Sequence, residues 1–98
     1  MMAKASVLVT GSSEGGIGYA LCQSFAEAGC QVFASARKID SMASLPSNIT
    51  RIELDVLSEE SCQTAVKRFL DESDPEAPLI LVNNAGAAGT GALLYFLP

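Results

Sequence analysis

The chain has 98 residues and a formal net charge of −5, from 6 basic and 11 acidic side chains. That is one small domain at most, without the basic face that nucleic acid requires. With 49% hydrophobic and 17% charged residues the composition is globular rather than disordered. No apolar run approaches the ~20 residues that span a bilayer, and residues 1–6 do not have the pattern of a secretory leader. The chain has no histidine, and its three cysteines, Cys22, Cys30 and Cys62, are widely spaced. They make no zinc ligand set, and every His-dependent triad is excluded. Reduced thiols in a cytoplasmic compartment are expected.

Residues 6–10, Ser-Val-Leu-Val-Thr, form a β-rich apolar run without polar alternation, which predicts a strand covered on both faces. Gly11 to Gly18 is a glycine-rich turn. Behind it Ile17, Leu21, Phe25 and Ala28 recur at three- and four-residue steps, predicting a helix that Gly29 ends in a left-handed conformation. Residues 31–36 predict a second strand, closed by Arg37 and Lys38, and residues 40–45 a short helix before Pro46. In the third strand, residues 49–54, Ile52 and Leu54 alternate with Arg51, Glu53 and Asp55, so one face is expected to be less covered.

Ser58 reads as an N-cap, with Glu59 and Glu60 in the first turn where the helix dipole favours negative charge. The stripe Cys62, Ala65, Val66, Phe69 and Leu70 marks the clearest amphipathic helix of the chain. Residues 71–78, acidic and with two prolines, read as a loop. Leu79–Val82 reads as a fourth strand of the buried type, ending at Asn83-Asn84-Ala85-Gly86. The order β-α-β-(α)-β-α-β predicts an α/β fold with a parallel sheet and right-handed crossovers. Residues 87–98, small residues followed by Leu93-Leu94-Tyr95-Phe96-Leu97, form a tail with no partner in this pattern.

A glycine-rich turn between a first strand and a first helix suits a phosphate. Glycines let the backbone come close to a pyrophosphate, and the helix N-terminus offers free N–H groups and a positive dipole end. The alternative is a tight turn that binds nothing. A P-loop is disfavoured, because Ile17-Gly18 follows Gly16 where a lysine and a hydroxyl would have to stand. The second strand ends at Ala36 without a carboxylate, and Arg37-Lys38 come next. A carboxylate there would repel a 2′-phosphate, whereas a guanidinium attracts it through paired hydrogen bonds, which favours NADP(H) over NAD(H). Otherwise Arg37 and Lys38 are a solvated loop pair.

Three motifs in order resemble the short-chain dehydrogenase/reductase family. Residues 10–18, Thr-Gly-Ser-Ser-Glu-Gly-Gly-Ile-Gly, are similar to its cofactor loop, one residue longer between Gly11 and Gly16 than the common form. Asp55-Val56 resembles the dipeptide after strand three, and Asn83-Asn84-Ala85-Gly86 the motif after strand four. The resemblance covers residues 5 to about 90. It implies the front half of a doubly wound Rossmann fold with strand order 3-2-1-4. By this resemblance Gly11, Ser13, Gly16, Ile17 and Gly18 would hold the pyrophosphate and nearby ribose, and Arg37 the 2′-phosphate. Asp55 and Val56 would border the adenine, while Asn83, Ala85 and Gly86 would line the ribose and stabilise the sheet. Plainer roles stand beside these: Asp55 as a solvated carboxylate, Asn83 closing the strand through its side chain, Ser12 and Glu14 facing water.

The loop, with Phe33 and Arg37 downstream, looks most like that of NADPH-dependent 1-acyldihydroxyacetone phosphate reductases. This implies ketone reduction on a lipid-like substrate and permits an endoplasmic reticulum or lipid-droplet surface. The family's chemistry needs a tyrosine with a lysine four residues later. Gln23 stands four after Tyr19, and Tyr95 is followed by only three residues, so no catalytic residue is assigned. Residues 1–98 therefore read as an incomplete NADP-binding domain whose 87–98 tail is divergent or unpaired. Three outcomes are open: a non-catalytic cofactor-binding half, an interaction module pairing through the exposed strand Leu79–Val82 with itself or a relative, or a half-domain that is not stable.

Overall fold

The computed structural model describes residues 3–84. The elements are β1 (Ser6–Val9), α1 (Ile17–Glu27), β2 (Gln31–Ala36), a 3-10 turn (Ile39–Met42), β3 (Thr50–Glu53), α2 (Glu59–Glu72) and β4 (Leu79–Val82). The four strands make one parallel sheet in the order β3-β2-β1-β4. Register runs from Ser6 opposite Gln31 and Leu79 to Val9 opposite Ala34 and Val82. Each chain reversal is a crossover, so the C-terminal ends of β1, β2 and β4 arrive on one side, where the glycine turn lies.

The central strands alternate between two cores, as the period-2 pleat dictates. Val7, Val9, Val32 and Ala34 face α1, through Cys22, and the segment that carries Met42, Leu45 and Ile49. Leu8 and Phe33 face α2, where Cys62, Ala65, Val66 and Phe69 join Ile52, Leu54 and Val56. Phe33 and Phe69 meet edge to face, with ring centroids 5.1 Å apart, a geometry that adds to their area burial. Ser58 caps α2 by accepting the Ser61 N–H at 3.2 Å, as its position predicts. Of the stripe, Cys62, Ala65, Val66 and Phe69 are buried and Leu70 is half-buried.

Several expectations need correction. The α1 stripe turns out rotated: Ile17 is 73% exposed and Ala28 is exposed, whereas Gly18 and Cys22 are buried. Gly18 brings the helix so close to the sheet that the packed face centres on these small residues. The helix expected over residues 40–45 is a single 3-10 turn that starts at Ile39. Asp71 and Glu72 belong to α2 rather than to the loop, each paired with a cation one turn back: Lys67–Asp71 at 2.7 Å and Arg68–Glu72 at 2.6 Å. β4, by contrast, has the composition of a buried strand but is exposed as expected of the half-domain, Leu79 at 42% and Ile80 at 37%. Among the described residues β4 pairs with β1 alone and is therefore an edge strand. The tail of residues 87–98 lies outside the described residues.

Candidate functional site

The turn between β1 and α1 needs two glycines in the left-handed region, Gly11 at φ +69° and Gly15 at φ +86°, a conformation other residues adopt only with strain. Around them the chain doubles back, with the Gly16 N–H donating to the Ser13 carbonyl at 3.1 Å. Space before the turn is open, since a Cβ on Gly15 would meet nothing within 4 Å. Gly18 is required for a different reason. A Cβ there would overlap the Gly11 carbonyl oxygen and lie 2.9 Å from Asn84 Nδ2, so the first turn of α1 sits directly against the end of β1.

The two helix N-termini contrast. α2 has a side-chain cap and two acids in its first turn. α1 begins at Gly16, which has no side chain to cap with, and its first turn holds no acidic residue. The N–H groups of Ile17, Gly18 and Tyr19 precede the first i→i−4 bond, from Ala20 to Gly16 at 3.3 Å. They therefore present uncompensated positive partial charge to whatever occupies the turn, the arrangement that holds phosphate oxygens.

A seam joins this turn to the end of β2. The Ser12 N–H donates to the Ser35 carbonyl at 2.9 Å and the Glu14 N–H to the Ser41 carbonyl at 2.8 Å. The Ser13 and Ser41 hydroxyls lie 3.1 Å apart. Arg37 and Lys38, both exposed, stand between Ser35 and Ser41. The backbone seam thus places residues 37 and 38 in the short connection that is bonded to the glycine turn at both ends.

Ser12, expected to face water, is fully buried. Its hydroxyl donates to the Val9 carbonyl at 3.0 Å and accepts from Cys22 Sγ at 3.4 Å. Burial pushes the Cys22 thiol pKa up, against the lowering effect of the Ser12 bond. Tyr19, whose ring packs on the core beneath α1, bonds Ser44 through its hydroxyl at 2.8 Å.

At the end of β4, Asn84 ties the strand to β1. The Asn84 N–H donates to Thr10 Oγ1 at 2.9 Å, and its Nδ2 donates to the Gly11 carbonyl at 3.2 Å. Asn83 is exposed at the same rim. The doubled asparagine was the signal for Asn84, whose contacts spacing alone does not specify.

Asp55 is half-buried after β3 and accepts the Leu57 N–H on Oδ1 at 3.0 Å, so it organises its own turn rather than standing solvated. Val56 beside it is buried. Burial is also the main cause that raises the Cys62 thiol pKa, with Asp55 and Glu59 adding to it. Ala85 and Gly86 lie outside the described residues. A groove of about 450 Å³ on the outer side of α2, lined by Gln63, Val66, Lys67 and Leu70 among others, contains none of these residues. Among the described residues no group of acidic and cysteine side chains could hold a metal ion.

A parallel αβ sheet with a glycine turn under an uncapped helix defines a phosphate-binding half-fold of the dinucleotide-binding type. Over residues 5–96 the chain matches the short chain dehydrogenase family. It is 47% identical over 87 residues to the short-chain dehydrogenase/reductase GME11361 of Pestalotiopsis microspora, covering 88% of this chain and 30% of that protein. It is 41% identical over 91 residues to the NADPH-dependent 1-acyldihydroxyacetone phosphate reductase of Schizosaccharomyces pombe, covering 89% and 29% respectively. A short chain dehydrogenase from Burkholderia cenocepacia, solved in complex with NADP, superposes with a TM-score of 0.69 at 25% identity, covering 88% of this chain and 34% of that one. The chain belongs to the short-chain dehydrogenase/reductase family. It spans about 30% of the length of these two curated relatives.

Proposed function

We propose that this chain is the NADP(H)-binding front half of a short-chain reductase, one incomplete domain over residues 1–98. The observation that carries the reading is the uncapped N-terminus of α1 under the Gly11–Gly18 turn, joined by the Ser12–Ser41 seam to Arg37 at a strand end without a carboxylate. The residues fit the cofactor: a cradle left open by Gly15 for the pyrophosphate, and a cation at the right strand end for the 2′-phosphate. When bound, NADPH supplies a hydride. This chain's part is to bind and orient it. The backbone N–H groups of Ile17 and Gly18 donate to pyrophosphate oxygens, with Gly11, Ser13 and Gly16 shaping the approach, and Arg37 pairs with the 2′-phosphate. Asp55 and Val56 border the adenine and Asn83 borders the ribose.

The NADPH-dependent name of the fission yeast relative and the NADP held by the Burkholderia structure support this choice. The same relative supports reduction of a ketone on a lipid-like substrate, such as an acyl-dihydroxyacetone phosphate, by the complete protein. No residue of this chain is assigned to the proton-transfer step. Tyr19 is engaged with Ser44, and the tyrosine–lysine pair of the family has no match here. Titration of the full chain with NADPH and NADH, by nicotinamide fluorescence, tests the reading. NADPH should bind at least tenfold more tightly, and Arg37→Ala should remove most of that preference. Equal affinities in the wild type would refute it.

A second reading is favoured by the exposure of Leu79 and Ile80 on an edge strand. An apolar unpaired edge is a template for pairing, so the chain would act as an interaction module that joins β4 to a second copy or to a full-length relative. Sedimentation equilibrium decides it: a strictly monomeric chain that fails to co-purify with a reductase rules it out.

A further inference from the structure

The segment that connects β2 to β3 is held by more than the seam. Arg51, on β3, turns its guanidinium onto four carbonyls of this one connection. Nε donates to Met42 at 2.9 Å, one Nη to Ile49 at 3.0 Å, and the other to Ala43 at 3.4 Å and to Leu45. Among the described residues no carboxylate shares in this contact. Five donors in a rigid fork suit such a gathering of carbonyls, and the result fixes the path of the connection, including the 3-10 turn that carries Ser41.

Ser41 then meets the rest of the site through both its backbone and its hydroxyl, its N–H donating to the Lys38 carbonyl at 3.1 Å. Its hydroxyl donates to the Lys38 carbonyl at 2.6 Å and its oxygen lies 3.1 Å from Ser13 Oγ, which donates to it once that proton is so used. Its carbonyl accepts the Glu14 N–H at 2.8 Å. One residue therefore closes the Arg37–Lys38 turn onto itself and ties it to the glycine turn.

We infer that Ser41, seated by the Arg51 guanidinium, is a specificity-determining positioning residue that holds the Arg37–Lys38 turn against the glycine turn and thereby selects nucleotides carrying a 2′-phosphate. The inference rests on the NADP(H) reading above. Ser41 acts through Ser13, Lys38 and the placement of Arg37. The 5′-phosphate is served by the N–H groups of α1, and the Ser12–Ser35, Glu14–Ser41 and Gly16–Ser13 backbone bonds that shape the turn before them do not use the Ser41 hydroxyl. Loss of the Ser41 hydroxyl should therefore be felt by the 2′-phosphate and hardly by the 5′-phosphate.

The test uses adenosine 2′,5′-bisphosphate and 5′-AMP as probes, titrated calorimetrically into the full chain and into Ser41→Ala, Ser41→Thr and Arg51→Met, with Tm recorded for each. Ser41→Ala removes both hydroxyl bonds and should weaken the bisphosphate about fivefold or more, and leave 5′-AMP within twofold. Ser41→Thr, which keeps a hydroxyl, should restore most of the selectivity. Arg51→Met should lower Tm and reduce the bisphosphate preference in the same sense. Equal weakening of both probes by Ser41→Ala would show a merely structural residue and overturn the inference, as would unchanged selectivity in Ser41→Ala. A wild-type chain that binds both probes equally overturns the NADP(H) reading itself, and the role of Ser41 with it.

Discussion

Gly18→Ala is the substitution that most sharply probes how α1 meets the sheet. The added methyl would overlap the Gly11 carbonyl oxygen and stand 2.9 Å from Asn84 Nδ2. The first of these is backbone, so relief requires α1 to lift from the end of β1 or the Gly11 peptide to tilt. Overpacking of this kind costs about 1–3 kcal/mol. If Asn84 swings away, its bond to Gly11, 3.2 Å long, is lost as well, which adds about 1 kcal/mol. Alanine in place of glycine returns up to ~1 kcal/mol of helix propensity, less in a first turn. The net is a loss of about 1–3 kcal/mol. At a urea slope of about 1 kcal/mol per molar for a small domain, the unfolding midpoint should fall by roughly 1 M or more. NADPH affinity should fall with it, because the α1 N–H groups that face the turn are displaced. A midpoint that stays constant or rises in Gly18→Ala would refute the close approach of helix and strand.

Thr10→Val removes the acceptor for the Asn84 N–H and should cost about 1 kcal/mol in urea unfolding. A neutral result would mean that β4 is closed by other contacts. Ser58→Ala should cost about 1 kcal/mol and Ser58→Gly only a few tenths, since the side chain caps α2 through Ser61; equal losses would argue against the cap. Cys30, half-buried, should react with a thiol reagent under native conditions well before the buried Cys22 and Cys62, with mass spectrometry reporting the order; early labelling of Cys22 would contradict its burial. The Cys22 and Cys62 thiols hold their protons above the ordinary value of 9.0 in the folded chain. The folded state therefore binds more protons than the unfolded one in alkaline solution. Their contribution to stability is complete below about pH 9 and is lost as pH rises through the folded values. Urea midpoints from pH 7 to 10.5 should fall more steeply in the wild type than in a Cys22→Ala/Cys62→Ala variant, and parallel profiles would exclude the effect.

Much of the architecture is legible because each apolar run is bounded by a residue with one structural meaning. Gly11 and Gly29 stop β1 and α1, Ser58 starts α2, and Pro78 precedes β4. These boundaries, with the alternation of strand and helix, lead to a parallel sheet, and the family resemblance adds the order 3-2-1-4 that the sheet adopts. The site is legible at its backbone level, where glycines cluster before a helix. Side-chain roles set by contacts distant in sequence are not. Arg51 reads as a charge on a less covered face, yet it gathers carbonyls from residues 42–49. Ser12 reads as one more polar loop residue, yet it lies between Val9 and Cys22. The role of Asn84 depends on how β4 docks beside Thr10, a contact across 74 residues. The exposure of Leu79 and Ile80 is legible only through the sheet order that the resemblance supplies, because a local hydrophobic run does not tell whether a neighbour lies on its far side.

The central claim is that the glycine turn and the N-terminus of α1 receive the cofactor's phosphates, with Arg37 beside them. The most direct measurement is an amide chemical-shift map of the 15N-labelled full chain titrated with NADPH. Saturable shifts should concentrate at Gly11 to Tyr19 and at Arg37 and Lys38, with α2 unaffected. No shifts at millimolar NADPH, or shifts confined to the groove along α2 at Gln63, Lys67 and Leu70, would contradict it.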